Sequence, residues 1–201
     1  MKQCAIVTLI AAGLAVVTPV GAGTYNKKLN IGDAAPAWSD LPGVDGKKHA
    51  LADLKDMKVV VLVFTCNSCP VAAAYEDRII AFTKKHPTDV ALVAVNVNTV
   101  EADRLDKMQE RAKEKGFSFP YLYDESQQIA RDYGANFTPE FFVLDKNRKI
   151  AYMGAMDDKN KAEDVKVQYL EEAVAAVLRG EKPKTAETQG RGCQIRFARN
   201  R

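Results

Sequence analysis

Two cysteines, Cys66 and Cys69, stand three apart in VLVFTCNSCPVAAAYEDRIIAF, between an apolar run and a stretch with helical spacing. Thiols at that spacing support three kinds of chemistry: a static bridge, a soft-metal site, or exchange of a disulfide with another molecule. A static bridge gains most when it closes a long loop, which the two residues between these thiols do not provide. A zinc site needs four ligands, and beyond the pair the chain offers Cys193, His49 and His86. Both histidines stand in lysine-flanked polar contexts, GKKHAL and TKKHPT, and read as exposed bystanders. Neither a cofactor nor a resident metal is expected. Cu(I) suits soft thiolates, so a carrier of that ion on Cys66 and Cys69, with Cys193 as a third ligand, stays a rival reading.

Exchange gains force from what must hold the pair. Lys58 to Phe64 (KVVVLVF) is β-branched and apolar throughout, as a strand buried on both faces should be. Val71, Tyr75, Ile79 and Phe82 then recur at helical spacing. The cysteines therefore fall where a strand hands over to a helix. Free N–H groups and the helix dipole at that point favour a thiolate, expected on the first cysteine. A second thiol one turn on can resolve the mixed disulfide that the first one forms.

Further along, Val90–Val97 reads as a second buried strand and Glu101–Lys115 as a charged helix. Phe119–Leu122 reads as a short extended piece and Gln127–Tyr133 as a helical turn. EFFVLDKNRKIAYMG gives two strands around a tight turn at Asp145–Arg148. Val167, Leu170, Val174 and Val177 mark a last helix, closed by Gly180. Strands linked by helices pair in parallel and the hairpin adds antiparallel ones. The expected fold is α/β, a central mixed β-sheet flanked by helices on both faces. Thr138-Pro139, opening the FFVL strand, is a candidate cis peptide. Glu76, Asp77 and Arg78 read as a solvated helix face, Asp157-Asp158 as a polar loop, and Trp38 as a side chain packed on the core edge.

The segments VLVFTCNSCPV, TPEFFVLD and GRGCQIR, with the lead-in IGDAAPAWSDLPGVDGKKHALADLKDMKVVVLVF, resemble the thioredoxin-like superfamily. Within it they are most similar to the peroxiredoxin-like redoxin branch, which includes exported thiol-disulfide proteins. The resemblance runs from about Ile31 to Ile195. It implies a thioredoxin-like fold with Cys66 as the exposed nucleophile, Cys69 as its partner and Pro139 as a cis-proline. Thr138, Pro139 and Thr65 are the substrate-binding residues it implies, and Thr138 would offer backbone groups to an incoming chain. The implied partners are a disulfide- or thiol-containing protein and a thiol electron donor. The chain departs from the peroxiredoxin pattern: aligned on Cys69, Cys66 occupies the place of the usual Thr and Leu62 that of an upstream Pro. It departs from thioredoxins proper in having Thr65 before the pair and Asn67-Ser68 inside it. Thiol-disulfide exchange is therefore the first reading and a thiol-dependent peroxidase the second. Copper carriers of this fold use a wider cysteine spacing and a distal His.

The 201 residues suffice for one domain with short extensions, and a net charge of +3 is too small to argue for a nucleic-acid partner. Lys2, the apolar run Ala5–Val17, Pro19 and VGAG form the pattern of a signal peptide over residues 1–22. That apolar run is shorter than the roughly 20 residues of a membrane span. Residues 23–180 are then the domain, exported to a periplasm or secreted with no stable membrane span, and Cys4 leaves with the leader. Residues 181–201 read as a basic, solvated tail containing Cys193, flexible before it and partly apolar after it. In an oxidising compartment Cys193 reads as a third redox thiol that folds back on Cys66 or Cys69 or passes electrons onward, its pKa lowered by Arg191 and Arg196.

Overall fold

A computed structural model describes residues 23–198; the expected signal peptide and the last three residues lie outside them. A short hairpin, β1 (Leu41–Pro42) and β2 (Lys48–His49), precedes the central strand β3 (Val59–Phe64). There follow α1 (Pro70–Lys85), β4 (Val90–Asn96), α2 (Leu105–Lys115), β5 (Tyr121–Tyr123) and α3 (Gln128–Tyr133). The chain ends through β6 (Phe137–Thr138), β7 (Glu140–Leu144), β8 (Ile150–Gly154), α4 (Tyr169–Leu178) and β9 (Cys193–Gln194). Five strands form one sheet in the order β5-β4-β3-β7-β8. The helix-linked strands β3, β4 and β5 pair in parallel, and β7 and β8, joined by a tight turn, add antiparallel neighbours.

All six residues of β3 are fully buried, which its unbroken apolar run allows. Alternation splits them between two layers. Val59, Val61 and Val63 meet Tyr75 and Ile79 of α1, Met108 of α2 and Leu170 of α4. Val60, Leu62 and Phe64 meet Tyr133 of α3, Trp38 of the lead-in and Ile195 of the tail. The mixed sheet with helices on both faces is the expected one. Among the described residues no helix is long and apolar enough to cross a membrane.

Four local expectations are corrected. The helix over Glu101–Lys115 is broken, with a 3-10 turn at Glu101–Asp103 and an extended Arg104 before α2. Val167 lies ahead of α4, its N–H bonded to the Asp158 carboxylate, so Asp158 orders a loop. On α1, Glu76 and Arg78 are not solvated. Glu76 takes two hydrogen bonds from Arg111 of α2 (2.9 and 2.8 Å), while Arg78 pairs with Asp157 and lies over the Tyr75 ring. Only Asp77 of the three faces water, because α1 is wedged between α2 and the loop after β8. Buried charges need such partners.

The fourth correction is the tail. Residues 186–188 run parallel to β8, through Met153 N–H to Ala186 O (3.1 Å) and Thr188 N–H to Met153 O (3.0 Å). The Glu187 carboxylate accepts the N–H groups of Thr24, Tyr25 and Asn26, at 2.8, 2.7 and 2.7 Å. Past Cys193 the chain is buried again at Ile195. Partners 161 to 163 positions apart in sequence hold this segment, which is why local composition reads as a solvated extension.

Candidate active site

The strand-to-helix junction is built as expected, with one exchange of roles. Thr65 continues β3 through its N–H to Val95 O (2.9 Å), and Cys69 is the N-cap of α1, with Pro70 as the first helical residue. The Cys69 sulfur accepts the Ala72 N–H at 3.4 Å, one of the free donors at a helix start. It is thus the second cysteine, not the first, that takes the N-terminal stabilisation. The Cys66 thiol packs beside the same sulfur, and this neighbouring protonated group pushes the Cys69 pKa down and that of Cys66 up. Burial and the nearby Asp103 carboxylate raise Cys66 further. When Cys69 is protonated, its S–H faces Thr138 O at 3.2 Å. When it is ionised, the neighbouring Cys66 and Cys193 thiols and the Ala72 N–H favour the charge, and burial opposes it.

Asn67 and Ser68 shape the loop between the thiols. Asp103, fully buried, accepts Asn67 N–H (2.6 Å), Ser68 N–H (3.1 Å), the Ser68 hydroxyl and the Asn96 amide (3.1 Å). The Asn67 side chain bonds to Ala102 O (2.8 Å) and accepts the Tyr121 hydroxyl (3.0 Å). Sequence reading missed Asp103. A single Asp in EADRL carries no signal beyond a helix start, and its partners lie 35 and 36 positions away.

Facing the pair is the loop before β7. The Thr138–Pro139 peptide is cis, and Thr138 touches both cysteines: Oγ1 to Cys66 at 3.4 Å and O to Cys69 at 3.2 Å. Glu140, 6% exposed, accepts Asn136 N–H (2.7 Å) and Phe137 N–H (2.9 Å) on one carboxylate oxygen, and burial pushes its pKa up to about 7. Thr65 does not join Thr138 and Pro139. It follows the odd-numbered residues of β3 inward, beside Glu76, Ile79 and Phe117.

Cys193 does reach the site. β9 pairs antiparallel with β6, setting Cys193 opposite Thr138 and Gln194 opposite Phe137. Cys193 packs on the Cys66–Cys69–Ala72 cluster. The neighbouring Cys69 and burial raise its pKa, against the lowering expected from Arg191 and Arg196. All three thiols are free, and Cys66 and Cys69 are each 3% exposed, so Cys66 is not the exposed sulfur that the resemblance implies. Cys193, half-buried, is the most accessible of the three.

The histidines stand apart and are half-buried rather than exposed. His49 pairs with Asp45, and His86, at the opposite end of α1 from Cys69, pairs with Glu171. Among the described residues no group of three or more His, Cys, Asp or Glu is placed to hold a metal ion.

A five-stranded mixed sheet, a pair of thiols where its central strand meets a helix, and a cis-proline loop across from them define a thioredoxin-like protein. More narrowly, the Redoxin family model matches residues 30–170, and the chain belongs to that family. Thiol-disulfide oxidoreductase ResA of Geobacillus thermodenitrificans is 29% identical over 153 residues, 75% of this chain and 83% of the relative. The crystal structure of a hypothetical protein from Sinorhizobium meliloti 1021 superposes with a TM-score of 0.80 at 31% identity, covering 86% of this chain and 97% of that one. A thiol:disulfide interchange protein of the thioredoxin family from Chlorobium tepidum TLS, at 20% identity and a TM-score of 0.55, shares the fold over 64% of this chain and 89% of its own.

Proposed function

We propose that this chain is an exported thiol-disulfide oxidoreductase whose Cys66 and Cys69 cycle between dithiol and disulfide. The observation that carries the reading is the Cys69 sulfur at the N-terminus of α1, accepting a helix N–H and packed against Cys66. A low-pKa thiolate beside a protonated partner is equipped for both halves of an exchange. Cys69 attacks a disulfide sulfur, forming a mixed disulfide and expelling one thiolate. Cys66 then attacks the Cys69 sulfur, gives up its proton, and expels the second thiolate. The substrate gains two electrons and the pair closes as a disulfide, which a dithiol donor reopens. Thr138, in contact with both sulfurs, holds the exchanging atoms in line. Membership of the Redoxin family and the similarity to ResA support the same chemistry.

Turnover of insulin disulfides with dithiothreitol tests this. Activity in the wild type, lost in Cys69→Ser and lowered in Cys66→Ser, is expected. Fast hydroperoxide turnover with no insulin reduction would replace the reading with a peroxidase. Stoichiometric Cu(I) binding with inert thiols would replace it with a carrier.

A further inference from the structure

We propose that Cys193 is the outward-facing member of a three-thiol relay, built into the slot beside Thr138 so that disulfides pass between outside partners and the buried Cys66–Cys69 pair through it. The inference rests on the exchange reading above and names the group through which partners gain access.

Three observations carry it. First, the pair is closed off: Cys66 and Cys69 are each 3% exposed, and Cys193 packs directly on them. Second, Cys193 is fastened from both sides. Ahead of it, residues 186–188 are bonded to β8. Behind it, Ile195 N–H bonds to Asn136 O (2.8 Å) and its side chain joins the core. The Gln127 amide then clamps Arg196 O (3.1 Å) and Ala198 N–H (2.7 Å), and Arg131 reaches Ala198 O (2.8 Å). A removable lid would not need so many anchors. Third, the approach is cut to glycine. A Cβ on Gly192 (φ +152°) would lie 2.0 Å from Thr138 O, and one on Gly190 would lie 2.8 Å from the Phe137 ring. The glycines that look like flexibility in the sequence are what let the tail backbone close on β6.

Cys193 packs on the Cys66–Cys69 cluster from its place opposite Thr138, and the relay runs from it to Cys69 and then to Cys66. Cys193 attacks a protein disulfide, passing its proton to the first departing thiolate and forming a mixed disulfide. Cys69 thiolate attacks the Cys193 sulfur. The second substrate thiolate leaves, taking a proton from water, and Cys69–Cys193 is formed. Cys66 then attacks Cys69, the Cys69–Cys193 bond breaks, and Cys193 leaves with the proton Cys66 surrenders. The substrate has gained two electrons, and the chain holds one disulfide, Cys66–Cys69. A dithiol donor drives the same steps backwards.

The test uses the purified protein with insulin as the disulfide probe, followed by alkylation and mass mapping. Under the relay, Cys66→Ser stops at an internal Cys69–Cys193 disulfide, and Cys69→Ser holds insulin on Cys193. Cys193→Ser, which keeps both cysteines of the pair, lowers the rate of Cys66–Cys69 closure at least tenfold. The relay is overturned, with the exchange reading left standing, if Cys66→Ser holds insulin on Cys69 with Cys193 still alkylatable and Cys193→Ser keeps the wild-type rate. If insulin closes no Cys66–Cys69 disulfide in wild type or Cys193→Ser, the exchange reading fails and the relay falls with it.

Discussion

Two segments meet at the sulfur cluster, and they are made in opposite ways. The β3–α1 junction is regular structure: a fully buried strand, a capped helix and a loop held by one carboxylate. The Cys193 segment is a two-residue strand preceded by Gly190 and Gly192 and fixed by hydrogen bonds to partners distant in sequence. Both bring a thiol into the cluster around Cys69. The contrast teaches that position at this site comes from two sources, secondary structure for the pair and point anchors for the third thiol. Mutation should separate them.

The largest effect is expected at the junction itself. Cys69→Ser should cut protein-disulfide turnover by about a hundredfold or more, since no other sulfur in the site has the helix N-terminus behind it. It should also abolish the thiolate absorbance near neutral pH, whereas Cys66→Ser, measured in the reduced protein, should retain most of it.

Next is the carboxyl that braces β6, the strand against which β9 pairs. The folded-state pKa of Glu140 is raised to about 7 from 4.5. The unfolded chain therefore ionises first, and its share of stability, full below about 4.5, is lost as pH rises toward 7. The loss is on the order of 3 kcal/mol at one such pKa shift. Glu140→Gln keeps an acceptor for the two N–H groups but does not titrate. Denaturant unfolding should show the variant gaining on the wild type across that window and holding the gain above it.

Asp103→Ala comes third. It strands buried donors from Asn67, Ser68 and Asn96, at a cost of about 1–3 kcal/mol. Thermal unfolding should register that cost, and exchange should slow as the loop between the thiols loosens. The smallest effect belongs to the tail clamp. Arg131→Ala removes the exposed bond to Ala198 O, at about 1 kcal/mol. Alkylation of Cys193 should quicken several-fold while the melting point barely moves. A tail variant that destabilised more than Asp103→Ala would erase the distinction.

The same contrast explains what could be read from the residues. VVVLVF, the Val71–Tyr75–Ile79–Phe82 spacing and the C-x-x-C between them announce strand, helix and thiols locally, so the sheet and the junction were legible. So was Thr138-Pro139 as the loop opening the next strand. Which cysteine caps the helix was not, because one residue decides it: α1 begins at Pro70, which gives Cys69 the N–H of Ala72. Asp103, Glu76 and the tail act on partners tens of residues away, and no periodicity encodes that. The resemblance brought Cys193 into view, but its route to Cys69 depends on a backbone approach that only the folded chain displays.

The central claim is that Cys66 and Cys69 form a reversible redox pair. Equilibrating the protein in buffers of graded reduced and oxidised glutathione, with acid quench and mass mapping, tests it most directly. A Cys66–Cys69 disulfide that rises and falls with the glutathione ratio, identically from either direction, is the expected result. Cysteines that stay reduced across the whole range, or a bridge that never reopens, in a protein that remains folded, would contradict it.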